Sequence, residues 1–133
     1  MSADILIKNA RIIDGTGAPE FHGNVAVTEG RISFVGNQII ESRAEIDAKD
    51  KILTPGFIDI HTHFDPQLCW DGYATPSLEH GVTTVFIGNC SLSLAPVKGD
   101  GKEKIISMFE VIEDIKKPTF DAAVPFSWES FSE

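Results

Sequence analysis

Two short apolar runs with a helical signal between them constrain the fold of this chain more than any other feature. Phe57-Ile58-Asp59-Ile60 follows the turn signal Pro55-Gly56 and reads as a strand. Val82 to Ile87 is β-branched and nearly unbroken, the pattern of a strand buried on both faces. Between them Thr75 stands where a helix is capped, Pro76 at its first position and Gly81 just past its end. A strand, a helix and a strand, with about 20 residues between the strands, predict parallel pairing through a right-handed crossover.

The first of these runs leads into His61-Thr62-His63. Side chains alternate along a strand, so Phe57, Asp59, His61 and His63 are expected on one face. Two imidazoles then point the same way at a strand's C-terminal end, and neutral imidazole is the commonest protein metal ligand; the alternative reading is a pair of half-exposed loop histidines. Asp59 lies one step deeper, where an inward carboxylate needs a partner to offset its desolvation. Cys90 follows the second run after Gly88-Asn89. Sites in parallel sheets collect at the C-terminal ends of strands, and adjacent strands run about 4.8 Å apart. Cys90 is therefore either a third ligand beside His61 and His63 or a small buried hydrophobe. Two histidines and a thiolate around an open position suit zinc, which activates water and polarises a carbonyl.

The neighbouring polar residues carry two readings each. Asp65 is a partner or further ligand of the site, or a solvated loop acid. Asn89 donates to a bound carbonyl or closes a turn. Asp59, Asp65 and Asn89 are thus the candidates for supporting the ligands or touching substrate. His80 is read as a helix-end residue favoured by the dipole, His22 as surface, and Cys69 and Trp70 as packing above the site. No residue clearly fills the general acid–base role that amide cleavage needs.

Before Pro55 the chain reads as short strands without an ionisable cluster: Asp4–Lys8 around Ile5 and Ile7, Arg11–Asp14, a hairpin of Asn24–Thr28 and Arg31–Val35 about Glu29-Gly30, and a last strand ending at Ile52-Leu53. After the Pro96–Gly101 loop, Ile105, Met108, Phe109 and Ile112 make a helical stripe expected to pack on a sheet, stopping no later than Lys116-Lys117-Pro118. The tail from Phe120 to Phe131 holds aromatics that something outside the chain is expected to cover. A net charge of −9 argues against nucleic acid and anionic membranes as partners. No apolar run approaches the roughly 18 residues of a membrane span, and Met1-Ser2-Ala3-Asp4 lacks a signal-peptide character. A cytoplasmic location follows as the expectation, with the 2 cysteines as thiols.

Taken together, Pro55 to His63, Gln67-Leu68-Cys69-Trp70-Asp71, His80 to Val85 and Gly88-Asn89-Cys90 resemble the amidohydrolase superfamily, and within it the N-acyl-D-amino-acid deacylase (D-aminoacylase) branch. The resemblance implies an α/β fold: N-terminal β-sandwich strands (residues 1–54), then the first βα units of a metal-dependent-hydrolase (β/α)8 TIM barrel (residues 55–133), incomplete in this chain. It implies Zn2+ as cofactor, with Cys90 as a ligand and His61 and His63 lining the metal centre, and hydrolysis of a small-molecule N-acyl-D-amino acid. A barrel of this kind takes about 250 residues, so the remaining histidine ligands and the catalytic aspartate are expected on later strands, and no catalytic residue in this chain. The rest would come from a longer form of the same enzyme or from a second chain, and the chain alone is expected to be inactive. Ser91 stands where the family usually has Gly; Phe64, Pro66 and Lys49-Asp50-Lys51 also depart from it. Two alternatives are a cyclic-amide hydrolase of the dihydroorotase or hydantoinase kind, and a non-catalytic metal-binding scaffold.

Overall fold

A computed structural model describes residues 2–130 and 132, and the chain divides into two compact units, Met1–Pro55 and Gly56–Glu133.

The first unit is a mixed five-stranded sheet of β1 (Ala3–Ile12), β2 (Phe21–Thr28), β3 (Arg31–Gly36), β4 (Ser42–Asp47) and β5 (Ile52–Leu53), in the order β3-β2-β1-β4 with β5 also on β1. Among the described residues it is one layer; the second layer of a sandwich is not among them. β2 and β3 form the expected hairpin, and Glu29 (φ 50°) and Gly30 (φ 72°) adopt the paired positive φ of a type I′ turn. Asn9-Ala10 does not break the first strand as the sequence suggests. The register of β1 on β2 shifts between Ile7 and Ala10, and Asn9 turns to φ 57°. Asn9 donates its backbone N–H to Asn24 Oδ1 and its side-chain amide to Asp47 Oδ1, both at 3.0 Å. On its other side β1 pairs parallel with β4 up to Lys8 and with β5 from Arg11, so the irregularity separates two partners. Leu6, rather than Ile5 or Ile7, is fully buried, with Ala3 and Ala26; Ala10, Ile12 and Val25 form a second cluster.

In the second unit β6 (Phe57–Asp59) and β7 (Val82–Val85) pair in parallel, as the spacing predicts. A 3-10 turn (Gln67–Cys69) and α1 (Thr75–Glu79) lie between them; α2 (Gly101–Ile112) and α3 (Lys117–Ala123) follow. Gly56 enters β6 tight against Thr83: a Cβ there would sit 2.7 Å from Thr83 Cβ and closer still to its Oγ1 and Cγ2. Gly56→Ala is expected to cost about 1–3 kcal/mol by overpacking. Thr83→Ala should recover only part of this, because Thr83 Cβ remains; urea unfolding of the two variants reads the difference.

The expectation that β7 is buried on both faces does not hold. Phe57, Ile58 and Ile60, and Phe86 and Ile87 beyond β7, are all exposed, because a two-stranded sheet has no flanking strands to cover it. The core of this unit lies instead among Leu92, Leu94, Ile106, Phe109, Phe120 and Val124. The stripe on α2 is correspondingly rotated: Ile106 and Phe109 are buried while Met108 and Ile112 are exposed, since the helix packs on the 92–94 segment and α3 and not on a sheet. α2 ends before Lys116, and Pro118 falls in the first turn of α3, where its missing N–H costs nothing. The tail aromatics also differ from expectation. Phe120 is buried and Phe126 and Trp128 pack against the same core, so the chain covers them itself; Phe131 lies outside the described residues.

α1 is not capped by Thr75. Its N-cap is Ala74 in the left-handed region (φ 46°), and Asp71 takes the capping role from four residues ahead. Asp71 accepts the Thr75 N–H at 2.8 Å and the Thr75 hydroxyl at 2.9 Å. The Thr75 N–H and hydroxyl, with further bonds from Gln67 and Tyr73, hold the Asp71 carboxyl below the usual carboxylate range. No helix among the described residues is long and apolar enough to cross a membrane.

Candidate metal centre

His61, His63 and Cys90 each present a ligand atom within 4.8 Å of the others. The strand alternation expected to aim the histidines is not what does so. β6 ends at Asp59, and both histidines lie in the loop beyond it. Their placement comes from bonds that tie this loop to the one after β7. Thr62, buried, donates its hydroxyl to the Phe86 carbonyl at 2.7 Å. Asn89 donates its amide to the Ile60 carbonyl at 2.6 Å, and buried Asp65 accepts the Gly88 N–H at 3.2 Å. Asp59 accepts the His61 N–H at 3.1 Å, while its own carbonyl accepts the Phe86 N–H at 2.8 Å. Asp59, Asp65 and Asn89 are thus all engaged with backbone, and what they do is hold the histidine loop and the cysteine loop in register.

The two imidazole rings lie 5.5 Å apart at 49°. His61 is exposed; His63 and Cys90 are half-buried. Cys90 packs on the edge of the α2–α3 core, and Gly88 (φ 73°) and Ser91 (φ 71°) bend the chain sharply on either side of Asn89-Cys90. A left-handed φ explains why Gly suits the position after the cysteine; Ser91 adopts it at a cost of about 1–2 kcal/mol. One residue of the site escaped sequence reasoning. Glu113, at the end of α2, hydrogen-bonds His63 Nδ1 through Oε1. No local signal marks it, since the two lie on elements far apart in the chain.

The other titratable candidates are placed elsewhere. His80 is the C-cap of α1 and its Nδ1 lies 2.6 Å from the Pro76 carbonyl, in keeping with a helix-end role. His22 is exposed, 3.6 Å from Asp50. Cys69 approaches the Asp65 carbonyl at 3.9 Å, and burial, reinforced by the Asp65 carboxylate, pushes its thiol up from the usual range. Trp70 is exposed. A cavity of about 1230 Å³ opens beside the site, with Asp65 and Gly88 in its wall together with Leu68, Cys69, Leu94 and Trp128. None of the three donors lines it.

The donor set fits a metal such as zinc in kind: two imidazole nitrogens and a sulfur. Tetrahedral zinc sets its ligand atoms about 3.5 Å apart, so the present span of up to 4.8 Å exceeds that spacing by about an ångström, a distance within the reach of side-chain rotation. The model of the Amidohydrolase family matches residues 44–130. The chain belongs to this family.

Within the family its likeness is to the D-aminoacylase branch. It is 44% identical over 96 residues to N-acyl-D-aspartate deacylase of Alcaligenes xylosoxydans xylosoxydans, covering 71% of this chain and 19% of that protein. A solved D-aminoacylase structure, described for its binuclear metal centre with one-metal activation and second-metal attenuation, matches with a TM-score of 0.69 and 42% identity, over 73% of this chain and 21% of the other. N-acyl-D-glutamate deacylase from Bordetella bronchiseptica, solved with zinc and a phosphonate mimic of the tetrahedral intermediate, matches with a TM-score of 0.65 and 37% identity, over 76% of this chain and 22% of the other. The chain spans about a fifth of the length of these relatives. Its fold class is α/β, corresponding to part of the amidohydrolase barrel fold.

Proposed function

We propose that this chain carries part of the metal centre of a zinc-dependent amidohydrolase that cleaves N-acyl-D-amino acids to a carboxylate and a free D-amino acid. The observation that carries this reading is the convergence of His61, His63 and Cys90 at the ends of two adjacent parallel strands. His61, His63 and Cys90 hold the ion, while Thr62, Asp65 and Asn89 keep the two ligand loops together. Zinc, when bound, supplies Lewis-acid polarisation of the scissile carbonyl and acidifies a coordinated water. The group that moves a proton to the leaving nitrogen lies outside residues 1–133, as do the remaining ligands. Residues 1–54 act as scaffold and residues 55–133 as the start of the catalytic barrel. The nature of the relatives supports the substrate class, since proteins 44% and 37% identical to this chain are an N-acyl-D-aspartate deacylase and an N-acyl-D-glutamate deacylase.

The test offers N-acetyl-D-amino acids, their L-enantiomers and cyclic amides to the longest product of this reading frame, purified with zinc. Expected is release of acetate and free amine from the D-enantiomers only, and none from residues 1–133 alone. Ring opening without linear deacylation, or hydrolysis by the 133-residue chain, overturns the reading.

A further inference from the structure

Glu113 is out of place by the ordinary rules of helices. It stands at the C-terminal end of α2, where the helix dipole disfavours a carboxylate. The other acids of the helix have cationic or capping duties: Glu103 pairs with Lys117 at 3.4 Å, and Glu110 accepts the Lys117 N–H at 2.8 Å, closing the start of α3. Glu113 instead reaches across to His63 Nδ1, with both side chains about 30% exposed (32% and 29%), so the contact is sheltered but not sealed. Its position is set from behind. Phe109, one turn earlier on the same face, is fully buried among Phe120, Leu92 and Leu94, so the turn that presents Glu113 is anchored in the core.

We infer that Glu113 is a positioning residue: by accepting a hydrogen bond from Nδ1–H it fixes His63 in the Nδ1–H tautomer and presents Nε2 toward Cys90 and His61. An imidazole has two nitrogens, and the one that carries the proton is set by the hydrogen bond the other makes. A carboxylate behind a ligating histidine also raises the basicity of the ligating nitrogen, and removing such a partner typically costs about 10–100-fold in metal affinity. Because Glu113 comes from α2 and the donors from the strand-end loops, the ring of His63 is clamped between the helix and the loops. The inference rests on the metal reading for its purpose, but the tautomer can be read without metal.

The full chain, 15N-labelled and metal-free, with neutral imidazoles, is compared with Glu113→Ala, Glu113→Gln and Glu113→Asp by long-range proton–nitrogen correlation spectra. In the unaltered chain His63 should show a protonated Nδ1 and a bare Nε2. Glu113→Ala should return His63 to the mixed population of a free imidazole. Glu113→Gln, whose amide oxygen still accepts, should preserve the native pattern. Glu113→Asp, one methylene too short, should behave like the alanine variant and serves where that variant fails to fold. Zinc titration against a chromogenic chelator should show affinity lowered about 10–100-fold by alanine and restored by glutamine. A His63 pattern unchanged by Glu113→Ala or Glu113→Asp overturns the inference, whatever the zinc result. If the tautomer responds but the unaltered chain binds no zinc, the positioning role stands and the metal reading falls.

Discussion

Cys90→Ala is expected to weaken zinc binding by about 100-fold or more. Structural zinc sites are worth roughly 10–16 kcal/mol, or about 2.5–4 kcal/mol for each of four ligands, and each 1.4 kcal/mol is a factor of ten. A cysteine sulfur binds zinc as the thiolate, so it brings charge that an imidazole nitrogen does not. Cys90 is half-buried at the rim of the core, so its truncation opens little space and the chain should stay folded. Cys69→Ala is the matched control. Cys69 also packs on this core, but its thiol faces the Asp65 carbonyl and its burial favours the protonated form. Metal content after dialysis, with chelator competition for affinity, separates the two. Equal loss from both variants would mean that zinc is held by general integrity of the fold and not by the sulfur of Cys90.

Phe109→Ala should be the most damaging single change to the Gly56–Glu133 unit, at about 3–5 kcal/mol. Phe109 is fully buried, and its ring lies 5.6 Å from that of Phe120 at 52°, a tilted aromatic pair worth about 0.5–1.5 kcal/mol beyond area burial. Among the described residues the core cluster of the unit holds six buried side chains, and domains this small have only about 3–5 kcal/mol to lose. The variant is therefore expected to be largely unfolded at 37 °C, with loss of near-ultraviolet dichroism and of the His63–Glu113 contact. Val111 sits two residues along the same helix and is 86% exposed. Val111→Ala should shift stability by no more than about 0.5 kcal/mol. Similar melting curves for the two variants would show that α2 does not pack through its Phe109 face.

The α2 helix illustrates where sequence reasoning stops. A period of i, i+3, i+4 announces a helix because the spacing of side chains around its axis is a property of the helix alone. Which side of a broad apolar stripe is buried depends on the partner. Here the partner is the 92–94 segment with α3, so Ile106 replaced Met108 and Ile112 in the core. β4 was illegible for a related reason. Its Ala44 and Ile46 alternate with Arg43, Glu45 and Asp47, but one alanine and one isoleucine make a faint pattern, Ile46 stays exposed, and the strand is held chiefly by backbone pairing with β1.

The site divides along the same line. The spacing of His61, His63 and Cys90 around two strand ends was readable because parallel strands bring their C-terminal ends together wherever they pair. The device that aims the histidines was misread as strand alternation; it is a set of side-chain bonds to backbone from Asp59, Thr62, Asp65 and Asn89. A short polar side chain can serve a ligand, a substrate or a stray carbonyl equally well, and only the positions of the carbonyls and N–H groups choose among them.

Local chemistry along the chain was enough for the elements whose cause is local: the Glu29-Gly30 turn, Pro76 and Gly81 at the two ends of α1, and the parallel pairing imposed by the length between β6 and β7. Tertiary structure alone chose the buried faces, the exposure of β6 and β7, and the meeting of Glu113 with His63. Torsional preferences and hydrogen bonds between near neighbours act over a few residues and are written in consecutive letters. Burial and contacts between distant residues depend on how whole elements pack, which no short stretch of sequence contains.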